Sequence, residues 1–259
     1  MNPLLETRHL AVQIATQTIC RNLNITLQSG QCWAILGING AGKTTLLHTL
    51  AGLRPALSGE ILVNQQTMAH YSRRQLAQQL GVLFQETQDP FPSTVLETTL
   101  IGRHPYTKSW QWESAEDYKI AIQSLTQVGL HTLAKRQINT LSGGERQRLA
   151  VANLLTQAPR VFLLDEPTNH LDLQYQHQIL KLFKRYADEK GCTVVMILHD
   201  INLAAAYCDH AMLLFANEEP MCGACSDLLT ENNLSRLYHY PIQKIAGPNN
   251  QPLFMALQN

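Results

Sequence analysis

The chain has 259 residues, enough for one large domain or two small ones. Hydrophobic residues make up 45% of it, so we expect a substantial core, and its formal net charge at pH 7 is zero. Zero net charge does not favour a broad nucleic-acid-binding surface, although a local basic patch is compatible with it, and we predict no nucleic-acid partner. No apolar run approaches the roughly 18 residues of a membrane span, and the first residues lack the apolar core of a signal peptide. We therefore expect a cytosolic protein.

Six cysteines at irregular positions argue for reduced thiols rather than a disulfide framework. Cys222 and Cys225 form a CxxC pair, but one such pair without a second is a weak signal for metal or redox chemistry. The alternative is two small residues near a strand and a turn, and we leave a role for the pair open.

The N-terminal part alternates between strand-like and helical patterns. The first 30 residues are predicted as strands, since residues 23–28 alternate apolar and polar side chains as a half-buried strand does. The apolar run 31–36 predicts a buried strand that ends in a glycine-rich turn. A helical pattern follows at 43–53, and another short strand is predicted at 81–85.

Residues from about 86 to 140 have a different character. Several prolines precede an amphipathic helical pattern, to which Ser114 and Asp117 give an N-terminal cap and Gly129 a stop. We predict that this stretch is a set of helices inserted between two parts of an α/β core.

After the insertion, apolar strands alternate with helical segments. Strands are predicted at 161–165, 193–198 and 210–215, and a helix at 174–190. This alternation predicts an α/β fold with a mostly parallel sheet and helices on both faces. Residues 247–259 form too short a stretch to support a prediction.

The segment GINGAGKT, residues 37–44, matches the phosphate-loop pattern G-x-x-x-x-G-K-[ST] at every fixed position. It follows a predicted buried strand and opens a predicted helix, so its backbone N–H groups and the helix N-terminus can surround phosphate oxygens. Lys43 can reach the β- and γ-phosphates, and the Thr44 hydroxyl can bind Mg²⁺. We therefore predict binding of a nucleoside triphosphate with Mg²⁺. The predicted contacts are Gly37, Ile38, Asn39, Gly40, Ala41, Gly42, Lys43, Thr44 and Thr45.

Two adjacent carboxylates stand where the strand at 161–165 ends. Successive side chains of a strand point to opposite faces, so Asp165 and Glu166 need not compete for one position. We predict Asp165 as a Mg²⁺ ligand and Glu166 as the general base for water, and we expect partial burial to raise the basicity of Glu166. A solvated turn is the alternative, which the upstream phosphate loop makes less favourable.

Two further polar residues follow predicted strands. His199 ends the strand after the one that carries Asp165, at the edge where a parallel sheet binds its ligands. We predict that it donates to the γ-phosphate and orients the attacking water. The Gln85 amide, at the end of its strand, can reach Mg²⁺ or that water.

The segment LSGGE, residues 141–145, predicts a helix that begins with a capping box of Ser142 and Glu145. A well-capped helix is the simplest interpretation. A capped N-terminus with two glycines is also a good anion site, yet no lysine follows the glycines at phosphate-loop spacing.

Together these motifs resemble the ATP-binding cassette (ABC) ATPase family. The resemblance is carried, in chain order, by GINGAGKTT (37–45), Gln85, LSGGERQR (141–148), VFLLDEPTNHLD (161–172) and ILHD (197–200). It covers nearly the whole chain, and LSGGE between a phosphate loop and an aspartate–glutamate pair is very specific. It implies a P-loop NTPase core with an N-terminal antiparallel β subdomain. It further implies one ABC ATPase domain over 1–259, with its helical subdomain at about 86–140 and a C-terminal extension at about 220–259.

The resemblance also implies a second copy of the chain, paired head to tail with the first. In that arrangement the nucleotide bound by Lys43 of one copy is contacted in trans by Ser142, Gly143, Gly144, Glu145 and Asp172 of the other. The partner's loop then supplies the lysine that LSGGE lacks.

Two departures from the family pattern stand near the nucleotide. The family stacks an aromatic residue on adenine, whereas residues 10–17 here offer Val12 and Ile14. An aliphatic contact forgoes roughly 1 kcal/mol of stacking. Ile38 replaces a common proline, which we expect to be harmless.

Three stretches resemble the ATPase subunits that serve importers of iron–siderophores, haem and vitamin B12. They are IGRHPY (101–106), LHDINLAAAYCD (198–209) and DLLTENNLSRLYHYPI (227–242). This branch implies a polytopic membrane permease gripped by residues of about 86–120, and indirectly a periplasmic or surface substrate-binding protein. The subunit would then lie at the cytoplasmic face of the inner or plasma membrane. ATP-driven closure of the dimer would be transmitted through Gln85 and the helical insertion.

Other functions remain open at this point. One is a soluble ABC ATPase that acts on a cytosolic assembly, such as an iron–sulfur scaffold. Another is an ATP-dependent interaction protein without turnover, against which Asp165, Glu166 and His199 count. The transported substrate does not follow from the residues.

Overall fold

Residues 3–15, 17–85, 92–107, 112–216, 218–248 and 251–257 are described by a computed structural model of the chain. The strands are β1 (Pro3–Ile14), β2 (Gln17–Gln28), β3 (Cys32–Leu36), β4 (Ser58–Val63), β5 (Gln66–Thr67), β6 (Leu80–Leu83), β7 (Val161–Asp165), β8 (Thr193–Ile197), β9 (His210–Leu213), β10 (Met221–Ala224), β11 (Ile242–Ala246) and β12 (Pro252–Ala256). The α-helices are α1 (Lys43–Leu50), α2 (Arg73–Gln79), α3 (Val95–Leu100), α4 (Ala115–Gln127), α5 (Gly143–Gln157), α6 (Leu173–Lys190), α7 (Ile201–Tyr207), α8 (Cys225–Leu228) and α9 (Glu231–Tyr238).

A six-stranded sheet in the order β10-β9-β3-β8-β7-β6 forms the centre of the fold. The strands from β9 to β6 run parallel, and β10 is antiparallel to β9. This confirms the prediction of a mostly parallel sheet. Because β3, β8 and β7 are parallel neighbours, their carboxyl ends meet at one edge of the sheet, where ligands of such sheets bind.

Both faces of this sheet are covered. In β3, Trp33 and Ile35 belong to one core, while Ala34 and Leu36 belong to the other, as the alternation of a strand requires. Helices α5 and α6 contribute to the second core, and α1 contributes to the first. A second sheet, antiparallel with the order β2-β1-β4-β5, closes the first core. The predicted N-terminal antiparallel β subdomain is confirmed, and it also includes β4 and β5, which follow α1.

Between β6 and β7, helices α3, α4 and α5 pack on one another. Ser114 and Asp117 form the predicted capping box of α4. The buried Asp117 carboxylate also accepts a hydrogen bond of 2.7 Å from Nε of Arg103, whose Nη1 donates to the Thr156 carbonyl of α5. Residues 86–91 and 108–111 of the predicted insertion lie outside the described residues, and its bounds stay a prediction.

Several strand ends differ from the sequence-based expectation. Strand β6 ends at Leu83 rather than at residue 85, and β9 ends at Leu213 rather than at 215. Strands β11 and β12 pair as an antiparallel ribbon, which we did not predict. The side chain of Asn202 in α7 stabilises this ribbon, since it donates to the Phe254 carbonyl and accepts from the Phe254 N–H. Such long-range contacts leave no local pattern in the sequence.

Candidate functional site

The phosphate loop runs from the end of β3 to the start of α1, as predicted. Gly40 and Gly42 have φ angles of 80° and 93°, in the left-handed region that glycine adopts without strain. A side chain at Gly42 would also collide with Ile19, because its Cβ would lie 2.6 Å from the Ile19 side chain. The backbone of the loop therefore depends on glycine at these two positions.

The Lys43 side chain bends back over its own loop. Its Nζ donates to the carbonyls of Gly37 and Ile38, at 2.8 and 3.0 Å, and the residue is 7% exposed. Burial lowers the pKa of Lys43, while the nearby carboxylates of Glu166 and Asp165 raise it, and the net shift is downward. The ammonium group of Lys43 thus lies close to Glu166, the predicted general base, and to Asp165, the predicted Mg²⁺ ligand.

A cleft of about 580 Å³ opens above the loop. It brings together most of the residues predicted for the nucleotide and its hydrolysis. Its lining is Ile14, Gln17, Asn39, Gly40, Gly42, Lys43, Thr44, Thr45, Gln85, Glu166 and His199. Three predicted contacts do not line it: the carbonyls of Gly37 and Ile38 accept from Lys43, and Ala41 is buried in the first core.

Glu166 occupies a turn after β7 rather than the strand itself. The strand ends at Asp165, and Glu166 has a φ angle of 50°, in the left-handed region. The two carboxylates do occupy different positions, but alternation along the strand does not account for this, because Glu166 lies beyond the strand end. Asp165 is buried, whereas Glu166 lines the cleft.

Three side chains from different segments donate to the Glu166 carboxylate. Nε2 of His199 lies 2.7 Å from Oε1, and Nε2 of Gln85 lies 3.0 Å from Oε2. The amide of Asn169 also donates to Oε2. Because an ionised carboxylate only accepts, the His199 nitrogen that faces it carries the proton.

These donors decide the pKa of Glu166. Burial raises this pKa. The hydrogen bonds from His199 and Asn169 and the positive charge of Lys43 together lower it by more, so the net shift is downward. The expected gain in basicity from burial is thus outweighed. Glu166 is held as a carboxylate at neutral pH.

Asp165 is fully buried at the end of β7. Within the described part of the chain, neither carboxylate oxygen has a hydrogen-bond partner that meets normal geometry. Burial raises the pKa of this carboxyl, the Thr44 side chain lowers it and the Glu166 charge raises it, with a net rise. A buried carboxylate without a partner is costly, and a cation is one way to compensate it.

The LSGGE segment does not line the cleft of its own chain. Ser142 and Glu145 form the predicted capping box at the start of α5, with the Ser142 N–H donating to the Glu145 carboxylate at 2.7 Å. Ser142 and Gly143 are exposed. Asp172 is also exposed, and its carboxylate caps α6 by accepting from the Tyr175 N–H. None of these five predicted trans residues, Gly144 included, lines the cleft at the phosphate loop.

Comparison with protein families identifies the chain. Residues 20–169, more than half of it, match the family model described as ABC transporter. The chain belongs to the ABC transporter family. The matched segment runs from β2 through the phosphate loop and the LSGGE motif to Asn169, so it includes most of the cleft.

Two curated members and one solved structure of the family are similar to the chain. A hemin import ATP-binding protein of Shewanella denitrificans, HmuV, is 36% identical over 93% of this chain and 96% of its own. An uncharacterized ABC transporter ATP-binding protein of Bacillus subtilis, YvrA, is 41% identical to this chain. The match covers 76% of this chain and 45% of YvrA. A metal-chelate type ABC transporter, solved in an inward-facing conformation, has a chain that is 31% identical with a TM-score of 0.86, over 100% of this chain and 98% of that one.

Within the described residues, no helix combines the length and hydropathy that a membrane crossing requires. The family match and the import relative identify the chain as an ATP-binding subunit of an ABC transporter, an ATPase.

Sequence reasoning missed two polar residues around the predicted catalytic carboxylates. Asn169 donates to Glu166 from three positions further along the chain. His48 lies 4.0 Å from the carboxylate of Asp165. A signal for His48 existed, because it stands one helical turn after Thr44 and so shares its face of α1. Asn169 had no such signal, because its contact depends on the left-handed turn at Glu166.

Proposed function

We propose that the chain is the ATP-binding and ATP-hydrolysing subunit that powers import of a metal chelate through a separate membrane permease. The surroundings of Glu166 support ATP hydrolysis. Gln85, Asn169 and His199 converge on the carboxylate of Glu166 beside the phosphate loop. Such a set of donors fixes one rotamer of a catalytic group, as a positioned base requires.

The loop residues bind the triphosphate. Backbone N–H groups of 37–45 and the N-terminus of α1 provide donors for phosphate oxygens, and Lys43 moves its ammonium from the loop carbonyls to the β- and γ-phosphates. Thr44, Asp165 and Gln85 are suited to Mg²⁺, which binds through one or two carboxylates and the phosphates of its substrate. The buried Asp165 oxygens, which have no hydrogen-bond partner of normal geometry among the described residues, support this assignment. When bound, Mg²⁺ neutralises the charge that develops on the phosphates.

Glu166 is the general base for the attacking water. Its low pKa keeps it ionised, and its hydrogen bonds hold it at the cleft. His199 donates to it and is placed to contact the γ-phosphate as well. Gln85 contacts the same carboxylate from the segment after β6, so a movement of that segment alters the position of the base.

Ile14 is expected to be the adenine contact, since it lines the cleft and is 36% exposed, whereas Val12 is buried in the core. Replacing Ile14 by Tyr should tighten ATP binding by about fivefold, because aromatic stacking contributes about 1 kcal/mol. Equilibrium binding of a fluorescent ATP analogue tests this. Leu57→Tyr, at a residue that is 66% exposed and outside the cleft, is the control. Equal affinities for the Ile14→Tyr protein and the unmodified chain would contradict the adenine contact.

Two copies of the chain act head to tail. Ser142, Gly143, Gly144, Glu145 and Asp172 of one copy complete the site formed by Lys43 of the other. Ser142, Gly143 and Asp172 are exposed, and none of the five residues lines the cleft of its own chain, which supports a contact in trans. The capped start of α5 then directs its N–H groups at the γ-phosphate.

The permease binds beside β6. A groove of about 340 Å³ lies between β6 and helices α3 and α5, and it exposes Phe84 and Ile101, which are 41% and 53% accessible. Large exposed apolar side chains in a groove are typical of protein interaction sites. Phe84 precedes Gln85, so a permease in this groove lies one residue from a donor to the catalytic base. On this proposal the chain lies at the cytoplasmic face of the membrane, with a substrate-binding protein on the other side.

The transported substrate is a metal chelate of the iron–siderophore, haem or cobalamin class. The hemin import relative and the metal-chelate type neighbour support this class over a cytosolic iron–sulfur assembly. The proposal is tested by expressing the tagged chain together with the products of its neighbouring genes. The chain is then affinity-purified from detergent-solubilised membranes. We expect a polytopic permease to co-purify and, after reconstitution with its binding protein, uptake of one of these chelates that requires ATP. A soluble scaffold as the only partner would contradict import.

A further inference from the structure

The carboxylate of Asp165 faces two side chains of α1. Thr44 and His48 are four residues apart, which places them one above the other on the same face of the helix. Nε2 of His48 lies 4.0 Å from Oδ2 of Asp165. In the described part of the chain this Nε2 is buried and has no hydrogen-bond partner. Thr44 lies beside the Asp165 carboxylate and lowers its pKa, but neither carboxylate oxygen has a partner that meets normal hydrogen-bond geometry.

A donor and an acceptor that are both buried and unpaired are costly when left apart. The distance of 4.0 Å exceeds a normal N–H···O hydrogen bond by about 1 Å. A small rotation of the imidazole closes that gap. The neutral imidazole provides a single N–H donor to the carboxylate without adding a full charge beside the Mg²⁺ position.

On its other side, the His48 ring contacts Phe84. The two rings meet edge to face, with centroids 5.5 Å apart and an interplanar angle of 68°. Such aromatic pairs contribute to stability beyond the area they bury. Phe84 also lines the groove proposed for the permease, so His48 lies between that groove and the buried carboxylate.

We propose that His48 is a positioning residue for the reaction: its Nε2–H orients the Asp165 carboxylate toward Mg²⁺, and Phe84 holds the imidazole in place. This inference rests on the proposed function of Asp165 as a Mg²⁺ ligand. Groups that hydrogen-bond a metal ligand from behind fix its orientation, and they influence metal affinity without touching the metal. Movement of Phe84 in the groove then changes the orientation of Asp165.

Binding of Mn²⁺ in place of Mg²⁺ tests the inference without turnover. We would use the full chain with Glu166→Gln as parent, in the presence of ATP, and quantify protein-bound Mn²⁺ by its electron paramagnetic resonance spectrum. His48→Phe and His48→Leu remove the donor and should each weaken Mn²⁺ binding about tenfold. His48→Gln keeps an N–H donor and should bind close to the parent affinity. His131→Phe, at an exposed histidine outside the cleft, is the matched control.

Phe84 is tested by a double-mutant cycle. Phe84→Ala should weaken Mn²⁺ binding when His48 is present and should cause no further loss in the His48→Leu protein. Losses that add would show that Phe84 does not act through His48.

The outcomes separate this inference from the proposed function. Parent-like Mn²⁺ affinity in His48→Phe and His48→Leu would overturn the role of His48 while leaving Asp165 as a ligand. Failure of the parent itself to bind Mn²⁺ with ATP would overturn both. A loss in His48→Gln as large as in His48→Leu would overturn the requirement for a donor.

Discussion

Substitution of Glu166 by Gln is expected to abolish ATP hydrolysis while ATP binding is retained. Loss of a general base lowers kcat by about 10²–10⁴. The glutamine has nearly the same shape as the glutamate, and its carbonyl oxygen can still accept from His199 or Gln85. ATP binding is retained because Lys43 and the loop N–H groups are unchanged.

The same substitution should favour a dimer with ATP bound at its interface. When hydrolysis is blocked, the two copies remain joined by nucleotide held between Lys43 of one and the LSGGE segment of the other. Phosphate release measures the rate, labelled ATP measures binding, and light scattering with and without MgATP measures the mass in solution.

Glu189→Gln is the matched control for this prediction, because Glu189 is exposed at the end of α6 and lies outside the cleft. It should hydrolyse ATP like the unmodified chain. Turnover that survives in the Glu166→Gln protein at the control rate would exclude Glu166 as the base.

Local patterns predicted much of this site. The phosphate loop depends on closely spaced glycines, a lysine and the start of a helix, all of which lie within residues 37–45. The capping boxes of α4 and α5 likewise depend on residues three positions apart. In each case the interaction and the pattern that reveals it occupy the same short segment, so the sequence is sufficient.

The arrangement around Glu166 could not be predicted in the same way. The left-handed turn at Glu166 falls on a non-glycine residue, which rarely adopts it, and Asn169 can donate only because of that turn. The direction of the Glu166 pKa shift depends on the balance between burial, which raises the pKa, and the hydrogen bonds from His199 and Asn169 and the charge of Lys43, which lower it. The β11–β12 ribbon similarly depends on a contact with Asn202, distant in sequence. These features belong to the tertiary structure and leave no periodic signal.

ATP hydrolysis is expected to require two paired copies of the chain. Lys43→Ala removes the phosphate-binding ammonium, and Ser142→Arg places a bulky side chain on the LSGGE segment. Each substitution alone should abolish hydrolysis, because a symmetric dimer then carries the defect in both of its sites. If the sites are composite, one Lys43→Ala copy joined to one Ser142→Arg copy has both defects in one site and leaves the other intact.

A matched arrangement uses the same two substitutions on a single chain. A copy with both Lys43→Ala and Ser142→Arg, joined to an unmodified copy, carries one defect in each composite site and leaves none intact. The two arrangements contain the same residues in the same number, so they differ only in how the defects are distributed between sites.

The decisive measurement is ATP hydrolysis by permease-bound pairs that carry a different affinity tag on each copy and are purified through both tags. Head-to-tail sites predict about half of the unmodified rate for the pair with the substitutions on separate chains. They predict no hydrolysis above background for the pair with both substitutions on one chain. Equal rates in the two arrangements, whether both active or both inactive, would contradict a site shared between Lys43 of one copy and Ser142 of the other.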